Sequence, residues 1–137
     1  MRKWLPVFFI GLTCIVTSCT DSYLNSMDHL TNGARLYEQT CANCHQKDGS
    51  GLANLIPPLA DSDFLRANKG QLACYIQNGL HGKITVNGKD YTLTMPANKK
   101  LRYREIANIC LYVHQKFLDE TIIIPDTVIA FQLKSCK

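Results

Sequence analysis

The chain has 137 residues, the usual size of one domain, and its 15 basic and 11 acidic residues give a formal net charge of +4. Loss of a basic leader segment would remove two basic residues and leave 13 against 11, a balance too weak to indicate nucleic-acid binding. Seven cysteines are many for this length, and they suit an exported protein in which disulfides can form.

The first residues predict a targeting segment rather than a part of the fold. Arg2 and Lys3 form a basic head, and the uncharged, mostly apolar run over 4–16 has the length of a signal-peptide core, about 7–15 residues. This run is too short to span a bilayer, which takes roughly 20 apolar residues.

The end of this segment, Val16-Thr17-Ser18-Cys19, resembles the lipobox of bacterial lipoproteins, in which the cysteine is acylated and becomes the new N-terminus. It predicts a signal peptide over 1–18 and a lipid-anchored tether over 19–27. The chain would then face the periplasm from a membrane of the bacterial cell envelope. The alternative is an ordinary signal peptide in which Cys19 plays no part.

The first half of the remaining chain is expected to alternate between helix and loop. Apolar residues at helical spacing predict a first helix over about 28–40. The stretch over 45–60 is rich in Gly and Pro and is expected to be a loop, after which Asp and Ser residues over 61–63 can cap a short turn. A second helix is expected over 69–78, with Asn68 as its cap and a glycine at its end.

The second half predicts a small hairpin and two more helices. The pair Asn87-Gly88 separates two β-favouring runs, which is a strong short-range signal for a β-hairpin. A third helix is expected over about 103–118, and Pro125 suits the first turn of a last short helix. The predicted fold class is therefore mainly α with one small hairpin, and a C-terminal helical tail over 119–137 packs on the domain.

The run Cys41-Ala42-Asn43-Cys44-His45 carries the chemistry. Two thiols three positions apart can add to the two vinyl groups on one edge of a haem, and the adjacent His45 can then ligate the iron. One alternative is a redox-active dithiol, which is typically found next to a βαβ unit. The other is half of a zinc site, which requires a second pair of ligands. The sequence offers neither context, so the motif predicts one haem c, covalently held by Cys41 and Cys44.

With this motif, the chain over about 28–118 resembles a class I monohaem cytochrome c. The resemblance implies that family's fold, in which three core helices surround one covalently bound haem and the hairpin precedes an axial Met. It also implies that Gly33 and Tyr37 of the first helix cross the last core helix at Ile109 and Tyr112, where a small residue lets the backbones approach.

The resemblance further implies what surrounds the haem. Gly49-x-Gly51 and Pro57-Pro58 resemble the loop whose proline carbonyl accepts the N–H of the proximal histidine, and the sequence leaves open which proline does so. Met95 stands where the family places its distal ligand, although a lone Met is otherwise a filler of core gaps. The residues implied in the haem pocket or directly behind it are Pro57, Pro58, Leu59, Ile76, Leu80 and Tyr91.

Three other residues compete with Met95 for the sixth iron position. His81 precedes the hairpin, His114 lies beside the apolar face of the third helix, and Met27 falls in the tether. Each of these three is expected at the surface.

A haem with both axial positions filled has no vacancy for substrate or oxygen, so the expected function is one-electron transfer by a carrier, not enzymatic catalysis. Transient redox proteins are the expected partners, with no nucleic acid and no small-molecule substrate. The hairpin region is similar to cytochrome c modules found alone as lipoproteins or fused to larger periplasmic redox enzymes. The alternatives are a peroxidase-like or gas-binding haem protein with an open distal site, and a structural lipoprotein whose haem is incidental.

Four basic residues stand at the start of the third helix, where positive charge opposes the helix dipole and the family usually has a Ser or Asp cap. They are Lys99, Lys100, Arg102 and Arg104. We expect a docking surface for an acidic partner at this position, and the alternative is a solvated helix start.

Three cysteines remain, Cys74, Cys110 and Cys136, and an odd number allows at most one internal bridge. Cys110 lies on the apolar stripe of the third helix and is expected to be a buried thiol. The apolar tail can bring Cys136 back to the domain, so a Cys74–Cys136 disulfide is predicted. A Cys110–Cys136 bridge and three reduced thiols stay open as alternatives.

Overall fold

The computed structural model describes residues 27–120, 122 and 125–136. The predicted signal peptide over 1–18, the lipidation site Cys19 and the tether up to residue 26 lie outside this part of the chain. Within the described residues, no helix combines the length and the apolar character that crossing a membrane requires.

The first two helices meet at the C-x-x-C-H motif. Helix α1 runs over 27–40, so Met27 begins the helix rather than ending the tether. The apolar face of α1 buries Leu36 and Tyr37, which are 6% and 2% exposed. Helix α2, Ala42–His45, follows after one turn residue. The predicted helix over 28–40 is therefore present, with one more residue at its start.

A short helix, α3, follows the Gly- and Pro-rich loop and covers Asp63–Ala67. It begins at Ser62, whose side-chain oxygen accepts a hydrogen bond from the amide of Leu65 at 3.1 Å. The run of Asp and Ser residues thus caps a short helical turn, as the sequence predicted.

The second predicted helix begins later than expected. Residues Lys69–Gln71 form a 3₁₀ turn, and helix α4 covers Leu72–Asn78. Asn68 does not cap α4, because its side-chain amide donates at 2.8 Å to the carbonyl of Phe64 at the end of α3. The helix ends at Gly79, whose φ of +78° is a conformation that glycine adopts without steric cost.

The hairpin is present as predicted. Strand β1, Ile84–Val86, pairs antiparallel with strand β2, Lys89–Tyr91, and Asn87-Gly88 forms the turn with positive φ at both residues. The turn is fixed to α3, since the amide of Asp63 donates to the side chain of Asn87 at 3.1 Å and the amide of Asn87 donates to the Asp63 carboxylate at 2.7 Å.

Helix α5, Tyr103–Phe117, forms the centre of the core and crosses α1 at Gly33. A Cβ atom at Gly33 would lie 2.8 Å from the carbonyl carbon of Asn108 and 3.0 Å from Cβ of Tyr112. The implied helix crossing is therefore present, and Asn108 rather than its neighbour Ile109 lies nearest to the glycine.

The start of α5 has a partial cap although it lacks Ser or Asp. The carboxylate of Glu105 accepts a hydrogen bond from the amide of Arg102 at 2.7 Å, which is one half of a capping box. This bond holds the pKa of Glu105 below its usual value. A Glu three residues after a helix start is the sequence signal for such a cap.

Helix α6, Asp126–Ser135, begins directly after Pro125 and packs against α4 and α5. Ile129 enters the core and is 2% exposed, whereas Val128 and Phe131 on the same helix are 52% and 75% exposed. One side of α6 therefore covers the domain and the other faces outward.

The three remaining cysteines separate into a pair and a single thiol. Cys74 of α4 and Cys136 after α6 form a disulfide, with their Cα atoms 5.5 Å apart, which is the pairing favoured from the sequence. Cys110 is a free thiol, 2% exposed, and burial raises its pKa to about 12.

The expectation that His114 lies at the surface is wrong. The side chain is buried, and its Nδ1 lies 3.1 Å from the carboxylate of Glu120, whose other oxygen lies 2.6 Å from Nζ of Lys69. The chain turns back after α5, so that the amide of Glu120 donates to the carbonyl of His114 at 3.1 Å. Helical spacing placed the residue beside the core face, but it could not reveal the returning chain that covers it.

Candidate functional site

The C-x-x-C-H motif forms one tight turn at the junction of α1 and α2. The amides of Cys44 and His45 both donate to the carbonyl of Cys41, at 3.1 and 2.9 Å. Cys41 and Cys44 take part in no disulfide with a described residue, and they line the same cavity as His45. Burial raises the pKa of Cys41 above its usual value. The turn thus presents two thiols and one imidazole to a single cavity, as covalent haem attachment requires.

A backbone carbonyl orients the imidazole of His45. Nδ1 lies 3.1 Å from the carbonyl oxygen of Pro57, which can only accept, so Nδ1 carries the proton and Nε2 keeps its lone pair. Burial lowers the pKa of His45 although the Pro57 bond opposes this, and the neutral ring is the form that ligates metal ions. Of the two prolines that the sequence left open, Pro57 makes this contact.

A glycine lets the proline loop approach His45. Gly51 has a φ of +70°, and its amide donates to the carbonyl of His45 at 3.0 Å. A Cβ atom at Gly51 would lie 2.8 Å from the carbonyl carbon and oxygen of Pro57. The other side of the loop is closed by the amide of Leu59, which donates to the carbonyl of Gly49 at 2.7 Å. These contacts hold the Pro57 carbonyl in reach of the imidazole.

The cavity beside His45 is almost entirely apolar. Among the described residues that line it, none is Asp, Glu, Lys or Arg, and His45 is the one histidine. A flat and largely apolar macrocycle suits such a wall, and two thiols with a neutral imidazole suit the attachment and ligation of haem c. The apolar and aromatic lining comprises Tyr37, Leu55, Ile56, Pro57, Pro58, Leu59, Phe64, Leu65, Leu72, Tyr75, Ile76, Leu80, Ile84, Val86, Leu93, Met95, Pro96, Ile109 and Val113.

Five of the six residues implied in the haem pocket or directly behind it line the cavity, and Tyr91 does not. Tyr91 is buried, but it is absent from the cavity lining. It pairs across the hairpin with Ile84, and Ile84 is the member of this pair that lines the cavity. The five that do line it are Pro57, Pro58, Leu59, Ile76 and Leu80.

Most of the lining residues were not among the predicted pocket residues, and they include Ser62, Phe64 and Tyr75. The rings of Phe64 and Tyr75 stack with their centroids 6.1 Å apart, which joins α3 to α4 at the cavity. The capping signal predicted a helical turn at Phe64, but a five-residue helix is too short for its spacing to reveal which face is buried.

Met95 lines the same cavity and is held against the end of α4. Its amide and carbonyl exchange hydrogen bonds with the backbone of Leu80, at 3.0 and 3.1 Å, and the amide of Asn98 donates to the carbonyl of Ile76 at 3.0 Å. Gly79 permits this approach, because a Cβ there would meet the backbone of the Met95 segment. The thioether therefore belongs to a segment whose backbone is held at Met95 and again at Asn98.

The competing residues lie away from the cavity. His81 is exposed and is not part of the lining. His114 is buried, but against Glu120 instead of the cavity. Met27 is 46% exposed at the start of α1. Among the described residues, Met95 and His45 are thus the methionine and the histidine that the cavity wall contains.

A C-x-x-C-H turn at an apolar cavity, with a neutral histidine oriented by a proline carbonyl, is the site of a monohaem c-type cytochrome. Residues 28–113 match the family model described as cytochrome C oxidase, cbb3-type, subunit III. Because this match covers more than half of the chain, the chain belongs to that family, and its cofactor is covalently attached haem c. Its mainly helical fold is that of a class I cytochrome c.

Two curated relatives are both named cytochrome c-552, and both come from Thermus thermophilus, the second from one particular strain of that species. Each is 35% identical to the chain over 86 residues, which is 60% of the chain. The matched part covers 65% of the first relative and 57% of the second, so the chain spans less than two thirds of either.

Proposed function

We propose that the protein is a lipid-anchored electron carrier, whose haem c is ligated by His45 and Met95 and exchanges single electrons between exported or membrane-bound redox partners. The observation that carries the proposal is that the imidazole and the thioether line one cavity. Bound haem c supplies reversible one-electron chemistry at iron, and a thioether ligand favours Fe(II) relative to a second imidazole.

In this function the protein holds the two iron ligands in place and keeps water away from the haem. Backbone groups fix both ligands, with Pro57 against His45 and Leu80 against Met95. The described lining residues contribute no charge and no arginine, which supports a closed electron-transfer site over a peroxidase-like one. A site of this kind changes little in geometry when the iron changes oxidation state.

The substitution Met95→Ala tests the axial assignment. The wild-type ferric protein should show the weak near-infrared band of an Fe(III)–thioether bond, and the ferrous protein should not bind carbon monoxide. Met95→Ala should lose the band and bind carbon monoxide, because the sixth position becomes vacant. Met27→Ala is the matched control, since that side chain is 46% exposed outside the cavity. A wild type that binds carbon monoxide as fast as Met95→Ala would favour the gas-binding alternative.

The lipid anchor and the periplasmic location rest on the lipobox-like run that ends at Cys19. An anchor there suits a carrier with membrane-bound partners, because it keeps the domain close to them. A tether over 19–26 would leave the domain free to turn its haem edge towards a donor and then an acceptor.

The basic cluster at the start of α5 is the proposed docking surface for an acidic partner. Lys99 and Lys100 are exposed and follow closely after Pro96, which lines the cavity. Neither lysine side chain makes an ion pair with a described residue, whereas Arg102 lies 3.6 Å from the Glu105 carboxylate. Lysines without a counter-charge beside the proposed distal side would steer an acidic partner towards the haem.

Replacing Lys99 and Lys100 by Gln tests this surface. Electron transfer to an acidic partner should slow at low ionic strength, and the difference should fade as salt screens the charges. Replacing Lys116 and Lys134 by Gln is the matched control, because it changes the net charge equally at positions elsewhere on the chain. Equal rates for the two variants would identify the cluster as a solvated helix start.

A further inference from the structure

Helix α6 lies beyond the part of the chain that matches the family model. The family match ends at residue 113, before α6 begins. The helix packs against α4 and α5, inserts Ile129 into the core and is tied to α4 by the Cys74–Cys136 bond. The bond closes a loop across 62 residues, so it holds the end of the chain onto one short helix.

A groove beside Cys74 meets the wall of the haem cavity. Cys74, Asn78 and Ser135 line the groove, together with Tyr75 and Leu80. Tyr75 and Leu80 also line the haem cavity. Tyr75 and Leu80 therefore separate the groove from the haem cavity, and we call this pair of residues the partition.

The same partition is connected to the proposed distal ligand. The backbone of Leu80 exchanges two hydrogen bonds with Met95, and the carbonyl of Ile76 in α4 accepts a third from Asn98. Cys74 lies on the same seven-residue helix, α4, as Tyr75 and Ile76. A change in how α4 is held at Cys74 would therefore reach both the partition and the Met95 segment.

We propose that the Cys74–Cys136 disulfide is a clamp on the distal wall, and that its reduction opens the haem site to small exogenous ligands. The reductant is a dithiol, which gives two electrons and two protons to the disulfide, becomes a cyclic disulfide and leaves two protein thiols. Release of α6 would loosen α4, so that the partition opens and the Met95 segment moves aside for a small ligand such as imidazole. This inference rests on the proposed ligation by Met95.

The experiment compares imidazole binding to the ferric holoprotein in three forms: wild type, the double variant Cys74→Ala/Cys136→Ala, and the control Cys110→Ala. The double variant should bind imidazole about tenfold faster than wild type, because local opening becomes easier without the clamp. Its haem content and visible spectrum should stay unchanged. Cys110→Ala removes a thiol outside the disulfide and should match the wild type. If the double variant fails to fold, dithiol-treated and then alkylated wild type, reoxidised at the iron, serves in its place.

The outcomes separate the clamp from the axial assignment. Imidazole binding within about twofold of the wild type, after the disulfide is removed or reduced, would overturn the clamp. Faster binding with an Fe(III)–thioether band in the untreated wild type would support the clamp and the Met95 assignment together. Faster binding in a protein that never shows the band would support the clamp on the partition and refute Met95 as ligand.

Discussion

The crossing of α1 over α5 makes Gly33→Ala a test in which two known effects oppose each other. Alanine in a helix interior is favoured over glycine by about 1 kcal/mol, so helix propensity alone predicts a more stable protein. The added Cβ, however, would lie 2.8 Å from the Asn108 carbonyl carbon, whereas ordinary van der Waals contact begins at 3.4 Å. The obstacle is backbone, which cannot rotate away, so the helices must move apart. Overpacking of this kind costs about 1–3 kcal/mol, and we place this site at the upper end.

The expected net result is that Gly33→Ala destabilises the holoprotein by about 1–2 kcal/mol. Denaturant unfolding followed by far-UV circular dichroism measures this. Gly70→Ala is the matched control, because a Cβ there meets no atom within 4 Å, and it should be neutral or stabilising by less than about 1 kcal/mol. A Gly33→Ala protein as stable as the Gly70→Ala protein would refute the close helix crossing.

Two further predictions concern the anchor and the start of α5. Cys19→Ser should release the mature protein from the membrane fraction, because no acyl chain can then be attached, and continued membrane association would contradict lipidation. Glu105→Ala should lower the unfolding midpoint at neutral pH, since the Glu105 carboxylate accepts the Arg102 amide and has a lowered pKa. A carboxyl with a lowered pKa stabilises the fold above its ordinary pKa, about 4.3, and loses that contribution as pH falls, so the difference from wild type should narrow in acid. A difference that stays constant with pH would contradict the charged cap.

Local signals in the sequence were sufficient for most of the fold. The C-x-x-C-H run, the Asn87-Gly88 turn and the cap at Ser62 each depend on neighbouring residues alone, and each is found where the sequence predicted it. The helical spacing over 103–118 also reproduces α5 to within one residue. Short-range patterns are reliable here because the chemistry that they describe lies within one turn of the chain.

The corrections, and the choice that the sequence left open, concern residues whose contacts depend on how the chain turns after a helix or within a loop. His114 is buried by the chain that returns to Glu120, and helical spacing contains no information about that return. The side chain of Asn68 hydrogen-bonds to the end of α3 and does not cap α4, because both helix ends compete for this one side chain. The choice of Pro57 over Pro58 depends on how the loop folds back onto His45.

Both proposed iron ligands lie outside the long core helices. The residues that position the ligands are therefore different from those that pack the core. The packing of α1 on α5 sets the stability of the domain through its buried apolar surface. His45 is the last residue of the four-residue α2 and is oriented by a loop carbonyl, whereas Met95 lies in an irregular segment paired with Leu80. The Pro57 carbonyl holds the imidazole of His45 directly, and the Leu80 backbone holds the backbone of Met95. These bonds do not involve α1 or α5, whereas α4 connects the two systems, since it packs on α5 and also holds the Met95 segment.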